Sequence, residues 1–198
     1  VRADDDGLRV HKIRTDPADP VAAIVEGLAH LAGDAPAAAV AYGSTVATNA
    51  VLERKGARLA HVTNAGLEDV LTTGRQTRPE LYNLTVTRRP LLVDASLTFG
   101  IDGRIDAAGR EMAPLNLANV DDLAKQLAAS QAEVVAVCLL HAYANPQHEI
   151  DVAARLRAAG LNVCTSHEAL PEYREYERCS TTVVNAYVQP VVDLDPGR

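Results

Sequence analysis

The chain has 198 residues, of which 47% are hydrophobic and 4% aromatic, with no Trp. That length suits one sizeable domain, and the apolar content argues against disorder, with a core built from Ala, Val, Leu and Ile. A net charge of -7 argues against a general nucleic-acid binder, which needs a basic footprint, and no basic run stands out for an anionic membrane surface.

In chain order, Asp6-Gly7 is a turn signal and Leu8 to Arg14 alternates loosely, so the opening reads as a hairpin whose first strand falls mostly before Val1. Asp19 then reads as an N-cap with Pro20 in the first helical position; Val21, Ile24, Val25, Leu28 and Leu31 follow at helical spacing up to Gly33. Ala37 to Tyr42 is a short apolar run read as a buried strand, broken by Gly43-Ser44-Thr45. Val46 to Lys55 reads as a helix stopped by Gly56, and Ala57 to Val62 as another strand.

Residues 64–90 are irregular and locally basic, with Arg75, Arg78, Arg88 and Arg89. Leu97 to Ile105 reads as a second hairpin turning at Asp102-Gly103, and Ala107 to Leu117 as a linker. Val120, Leu123 and Leu127 mark a helix, and Val134 to Leu140 has the continuous apolar pattern of a strand covered on both faces. A helix over 146–159, a strand over 161–165 and a long helix opening at Pro171 complete the chain. The stripe predicted for that last helix is Tyr173, Tyr176, Ser180, Val183, Val184 and Tyr187, and Pro190 limits it. The alternation of strands and helices predicts an α/β fold, a mixed sheet with flanking helices.

Cys138, Cys164 and Cys179 are odd in number and widely spaced, which argues against a disulfide framework or zinc ribbon and fits free thiols in a reducing cytoplasm. No Cys-His or Ser-His-Asp set can be assigned from spacing. No apolar run reaches membrane-spanning length, and the first residues are not a signal peptide.

Several segments taken together carry a resemblance. They are residues 43–56 (GSTVATNAVLERKG), 74–82 (GRQTRPELY), 139–149 (LLHAYANPQHE), 166–178 (SHEALPEYREYER) and 180–187 (STTVVNAY). In this order and spacing the chain resembles the N-terminal region shared by N-methylhydantoinase A subunits, 5-oxoprolinases and acetone carboxylase subunits, from about Leu8 to Val192. The resemblance implies a ribonuclease H-like lobe of the actin-type ATPases over 1–192, with a small insert around 64–118 and a tail at 193–198. It also implies ATP with Mg, and use of ATP to open a cyclic amide such as hydantoin, 5-oxoproline or a related lactam. Phosphorylation of the amide oxygen would turn a resonance-stabilised group into a good electrophile. Implied partners are the remaining hydantoinase A lobe or a hydantoinase B-type subunit, and a homo-oligomer is expected.

The sequence departs from the family pattern at three points. The usual opening strand with its Gly-Gly-Thr-Phe-Thr-Asp phosphate turn is missing, the second nucleotide lobe is missing, and Tyr42 stands where the family has His. The expectation is therefore an incomplete lobe that is inactive alone. The alternative is a non-catalytic binding or assembly module.

Three constellations are candidates for chemistry. Gly43, Ser44 and Thr45, with Thr48 and Asn49 in the helix behind them, could hold a phosphate or a substrate carbonyl; the plainer reading is a capped turn. Arg75 and Arg78 suit a carboxylate or phosphate, or plain surface ion pairs. His141, His148, Glu149, His167 and Glu168 lie near the ends of two successive strands. They could hold a divalent metal or supply an acid-base group, or be capped structural groups. A self-contained metal hydrolase at His141, His148 and His167 is the third reading. For Glu172, Arg174, Glu175 and Arg178 the plain reading is a solvated helix start in which Glu175 and Arg178 can pair; the rival is a subunit contact that covers the stripe of Tyr173, Tyr176 and Tyr187.

Overall fold

The computed structural model describes residues 1–4, 7–14, 20–32, 39–41, 43–77, 82 and 90–193. The chain opens with a small antiparallel hairpin, β1 (Arg2–Asp4) and β2 (Gly7–Arg9). Its first strand thus lies inside the chain rather than before Val1. Helix α1 (Pro20–Ala32) follows as predicted, although Asp19 and Gly33, read as its cap and its stop, lie outside the described residues. The buried strand expected over 37–42 is not seen where the chain is described: Ala39, Val40 and Ala41 are exposed and irregular. A short apolar run alone does not fix its partner.

Helix α2 (Val46–Leu52) leads into β3 (Leu59–Asn64), all six of whose residues are buried. A short helix α3 (Val70–Thr73) and a 3-10 turn over Ala95–Leu97 precede β4 (Thr98–Ile101). The predicted hairpin across Asp102-Gly103 does not form. β4 joins β3 in parallel, and β5 (Arg104–Ile105) turns back at 106–110 to pair with β6 (Glu111–Ala113). The Asp-Gly signal marks instead the point where the chain leaves the sheet, with Gly103 at φ 139°.

Helix α4 (Leu117–Ala129) is capped by the Asn116 side chain, which accepts from the Asn119 amide. β7 (Val134–Val137), α5 (Gln147–Ala158) and β8 (Asn162–Thr165) follow as the sequence predicts. Gly160, at φ 84°, accepts the left-handed conformation that closes α5; its amide donates to the Arg157 carbonyl and the Leu161 amide to the Leu156 carbonyl. A one-turn helix α6 (Ser166–Ala169) precedes α7 (Glu175–Asp193), which starts four residues later than Pro171 and carries Pro190 inside it.

The main sheet has the order β4-β3-β7-β8, and every pairing in it is parallel. Its central strands read as apolar runs because both faces are covered. On one layer α4 packs on α5, and α5 on β7 and β8. On the other, α7 spans β3, β7 and β8 and carries α2 and α3. Val120, Leu127, Val152 and Leu156 are fully buried between sheet and helices. Each such Leu contributes roughly 1.5–3 kcal/mol. The face α7 buries is Cys179, Thr182, Val183, Ala186 and Tyr187, whereas Tyr173 and Val184 of the predicted stripe are exposed. Among the described residues no helix is long and apolar enough to cross a membrane.

Candidate functional site at the carboxyl edge of the sheet

From β3 the chain first adds β4 on one side and then returns to place β7 on the other. In open parallel sheets the loops on either side of such a reversal part at the strands' carboxyl ends and leave a crevice. Asn64, the last residue of β3, sits there nearly buried. Its Nδ2 donates to the Gly103 carbonyl at 2.7 Å and its Oδ1 accepts from the Leu140 amide at 2.7 Å. One side chain thus ties the loop after β4 to the loop after β7.

His141 lies in that second loop with φ 58°, a left-handed conformation. Its main-chain amide donates to Oε1 of Glu175 at 3.3 Å, and its Nδ1 lies 2.8 Å from the Ile105 carbonyl. A carbonyl only accepts, so that bond puts the ring proton on Nδ1 and leaves the lone pair on Nε2. The ring is half-buried and stands edge-on to Tyr143, centroids 6.0 Å apart.

Behind His141 lies a closed network of charge. Glu149, in the first turn of α5, is fully buried. It accepts from the Leu139 amide at 2.7 Å, Ser166 Oγ at 2.6 Å, the His167 amide at 3.0 Å and His167 Nδ1 at 2.8 Å. The amino end of α5 adds favourable dipole. Arg178, 1% exposed, donates to Ser166 Oγ at 3.0 Å, to the Leu139 carbonyl at 2.7 Å and to the Glu172 carbonyl at 3.3 Å, and pairs with Glu175. Its guanidinium also lies 5.4 Å from the Tyr143 ring centroid. The expected Glu175–Arg178 pair forms, but as a buried link rather than a solvated helix start. The hydrogen bond to Glu149 raises the His167 pKa above its ordinary value, against some burial.

The other sequence candidates sit elsewhere. His148 is buried and turned away from Glu149, with Nε2 2.7 Å from Glu111 on β6. Glu168 accepts from Thr165 Oγ1 at 2.7 Å, which holds its carboxyl below the usual range, and it meets Arg157 at 3.4 Å. So of the five acid-base or metal candidates, Glu149 and His167 touch, His141 joins them through Glu175 and Arg178, and His148 and Glu168 face other ways. Gly43, Ser44 and Thr45 are exposed. Ser44 Oγ accepts from the Val46 amide at 3.2 Å, and Asn49 donates to Thr45 Oγ1 at 3.4 Å; Thr48 is exposed on α2. Arg75 is paired with Glu177 at 2.7 Å, and Arg78, like Tyr42, Arg88 and Arg89, lies outside the described residues.

Arg178, beside the crevice, is buried and committed to Ser166, Leu139 and Glu175, and the exposed Arg75 is paired with Glu177. Asn64 and Arg178 were not among the site candidates. The only trace of Arg178 in the sequence is its spacing to Glu175 and Thr182, which share its helix face.

A parallel sheet between helical layers, with its crevice at a strand-order reversal, is a general open α/β arrangement; solved structures of the actin-like ATPase type share it here. The chain superposes on ATP-dependent caprolactamase from Pseudomonas jessenii with TM-score 0.79 and 35% identity, covering 95% of this chain and 29% of that one. Nucleotide-free acetone carboxylase gives TM-score 0.78 and 27% identity, over 92% of this chain and 29% of that one. In sequence it is 35% identical to caprolactamase subunit alpha of P. jessenii over 206 residues, 97% of this chain and 30% of the relative. It is 33% identical to 5-oxoprolinase 1 of Arabidopsis thaliana over 171 residues, 77% of this chain and 14% of the relative. Residues 1–160 match the hydantoinase/oxoprolinase N-terminal region, and the chain belongs to that family. It spans less than a third of the length of these relatives.

Proposed function

We propose that this chain forms the N-terminal lobe of an ATP-dependent enzyme that opens a cyclic amide, and that His141 is its acid-base group. The observation that carries this reading is the fixed ring of His141 at the crevice, its lone pair on Nε2 and its backbone held by Asn64, Glu175 and Arg178 through their contacts with the same loop. Hydrolytic opening of a lactam requires a proton to leave water and another to reach the departing nitrogen, and an imidazole with a free Nε2 can do both. The names of the relatives, caprolactamase and 5-oxoprolinase, support a lactam as substrate. ATP with Mg, and a hydantoinase B-type partner subunit, belong to the complete assembly. The surroundings of Gly43, Ser44 and Arg75 give them no assigned part in it.

The test is to assemble the complete protein containing this lobe with its partner subunit and assay ATP-dependent hydrolysis of caprolactam, hydantoin and 5-oxoproline. Turnover of at least one ring is expected. His141→Ala should lower kcat by about 10²–10⁴ with little change in KM, whereas His148→Ala should leave kcat nearly intact. Undiminished turnover by His141→Ala would remove His141 from the chemistry. A stable assembly with no ATP-dependent turnover of any ring would favour the non-catalytic assembly module instead.

A further inference from the structure

The fold brings together three soft side chains that sequence spacing could not pair. His61 lies in the middle of β3, Cys138 follows directly on β7, and Cys179 is in the first turns of α7. All three are buried, at 0%, 2% and 3% exposure. Sγ of Cys179 is 3.5 Å from Nε2 of His61, and the three ligand atoms lie within 4.8 Å of one another. Among the described residues no other three His, Cys, Asp or Glu groups come so close.

We propose that His61, Cys138 and Cys179 form a buried zinc-binding site that clamps β3, β7 and α7 to one another. Zinc takes thiolate sulfur at about 2.3 Å and imidazole nitrogen at about 2.0–2.1 Å, so tetrahedral ligands stand roughly 3.3–3.8 Å apart. The 3.5 Å separation of Cys179 and His61 already meets that edge. The three ligands come from two adjacent strands and the helix packed across both, which are rigid supports. Charge favours a dication: two thiolates neutralise it, and a neutral complex is what a dry interior accepts. The nearby guanidinium of Arg178 is already used by Ser166, Leu139 and Glu175. The Thr182 hydroxyl, which interacts with Cys138 and donates to the Arg178 carbonyl at 2.8 Å, is an oxygen at hand for a fourth position.

The second observation is the imidazole itself. Among the described residues His61 Nδ1 has no hydrogen-bond partner, and an unsatisfied buried polar atom is costly. A histidine is a poor choice for packing there; the metal bond would form at Nε2, the nitrogen that faces Cys179. Binding displaces the two thiol protons to solvent and oxidises nothing. A core site without solvent access fills as the chain folds.

The experiment refolds the 198-residue chain with zinc under a non-thiol reductant, removes free metal, and counts bound zinc by elemental analysis. Stoichiometric zinc is expected, and cobalt in its place should show thiolate-to-metal charge transfer. Cys138→Ser, Cys179→Ser and His61→Phe should abolish both signals, while Cys164→Ser, at a buried cysteine outside the cluster, should keep them. X-ray absorption on the wild-type chain covers the case in which a core variant does not fold. A shell of two sulfurs at about 2.3 Å with nitrogen near 2.0–2.1 Å supports the site. A purely oxygen-nitrogen shell, a folded wild-type chain without zinc, or stoichiometric zinc retained by Cys179→Ser would each overturn it.

Discussion

Two consecutive residues of α7, Arg178 and Cys179, enter two buried polar clusters that are built in opposite ways. On the Arg178 side, full charges are buried and each has a complete set of partners: Glu149 accepts four hydrogen bonds, and Arg178 reaches a hydroxyl, two carbonyls and a carboxylate. On the Cys179 side, soft groups are buried, and among the described residues one ring nitrogen has no partner. Burying a charge without partners is far more costly than burying an imidazole or a thiol. The difference shows that α7 holds the carboxyl-edge loops through charge, while its contact with the middle of the sheet rests on packing.

The largest break in that comparison should come from Arg178→Met. It leaves Glu175 without its buried cation and the Leu139 carbonyl without its guanidinium donor, and removing one partner of such a pair costs about 3–5 kcal/mol. Urea unfolding measures it. Adding Glu175→Gln should recover part of the loss, because the stranded carboxylate disappears with it. A loss below about 1 kcal/mol for Arg178→Met would mean that the network is ornamental to stability. Ser166→Ala should cost less, about 1–3 kcal/mol, since Glu149 and Arg178 each lose one neutral hydroxyl contact but keep their other partners.

Gly56→Ala probes the packing side. A Cβ there would stand 2.3 Å from the Tyr187 ring and 2.5 Å from the Tyr187 carbonyl oxygen, and the neighbouring Ala57 amide donates to that same carbonyl. Overpacking of this kind costs about 1–3 kcal/mol. Tyr187→Leu in the same chain removes the ring clash but not the carbonyl clash, so it should not restore the Gly56 baseline. A fully neutral Gly56→Ala would show that α7 can shift away from the sheet without penalty.

On the soft side the expected change is smaller still. In the zinc-free chain His61→Leu should alter stability by less than about 1 kcal/mol, because it trades one long sulfur contact and a nitrogen without a partner among the described residues for apolar atoms that fill most of the same space. Thermal unfolding in chelator measures it. A loss as large as that of Arg178→Met would erase the contrast between the clusters.

These effects also mark what was legible in the sequence. α4, β7, α5 and β8 were readable because each has a local period or an apolar run closed by a local signal, such as Gly160 after α5. β4 was misread as half of a hairpin because a parallel pairing with β3 is decided by contacts far apart in the chain, and the Asp102-Gly103 signal looks the same in either case. The face of α7 was misphased because counting apolar residues passes over Arg178 and Thr182, which are buried by their partners and not by their hydrophobicity. In the site, Glu149 and His167 were named from their position near the strand ends. Spacing encodes the Glu175–Arg178 pair but not its place in the fold; Asn64 and the His61–Cys138–Cys179 cluster depend on which strands become neighbours, and no spacing in the sequence encodes that.

The smallest effect is a pH dependence, and it tests whether the charged side is as closed as its hydrogen bonds imply. His167 is held by Glu149, which raises its pKa above the ordinary 6.5. A histidine whose pKa is raised by folding stabilises the native state fully below about pH 6.5, and that contribution is lost as pH climbs through the folded value. Glu168 runs the other way: Thr165 lowers its pKa from 4.5, so its contribution holds above that value and fades as pH falls through the lowered one. The two together predict a shallow stability maximum in the interval between the Glu168 and His167 titrations. His167→Gln should flatten chiefly the alkaline side, and Thr165→Val chiefly the acid side, since His167 and Glu168 also act weakly on each other. Urea midpoints taken from pH 3 to pH 9 would show this, and an alkaline slope that survives His167→Gln would place the responsible proton on a group outside the Glu149 network.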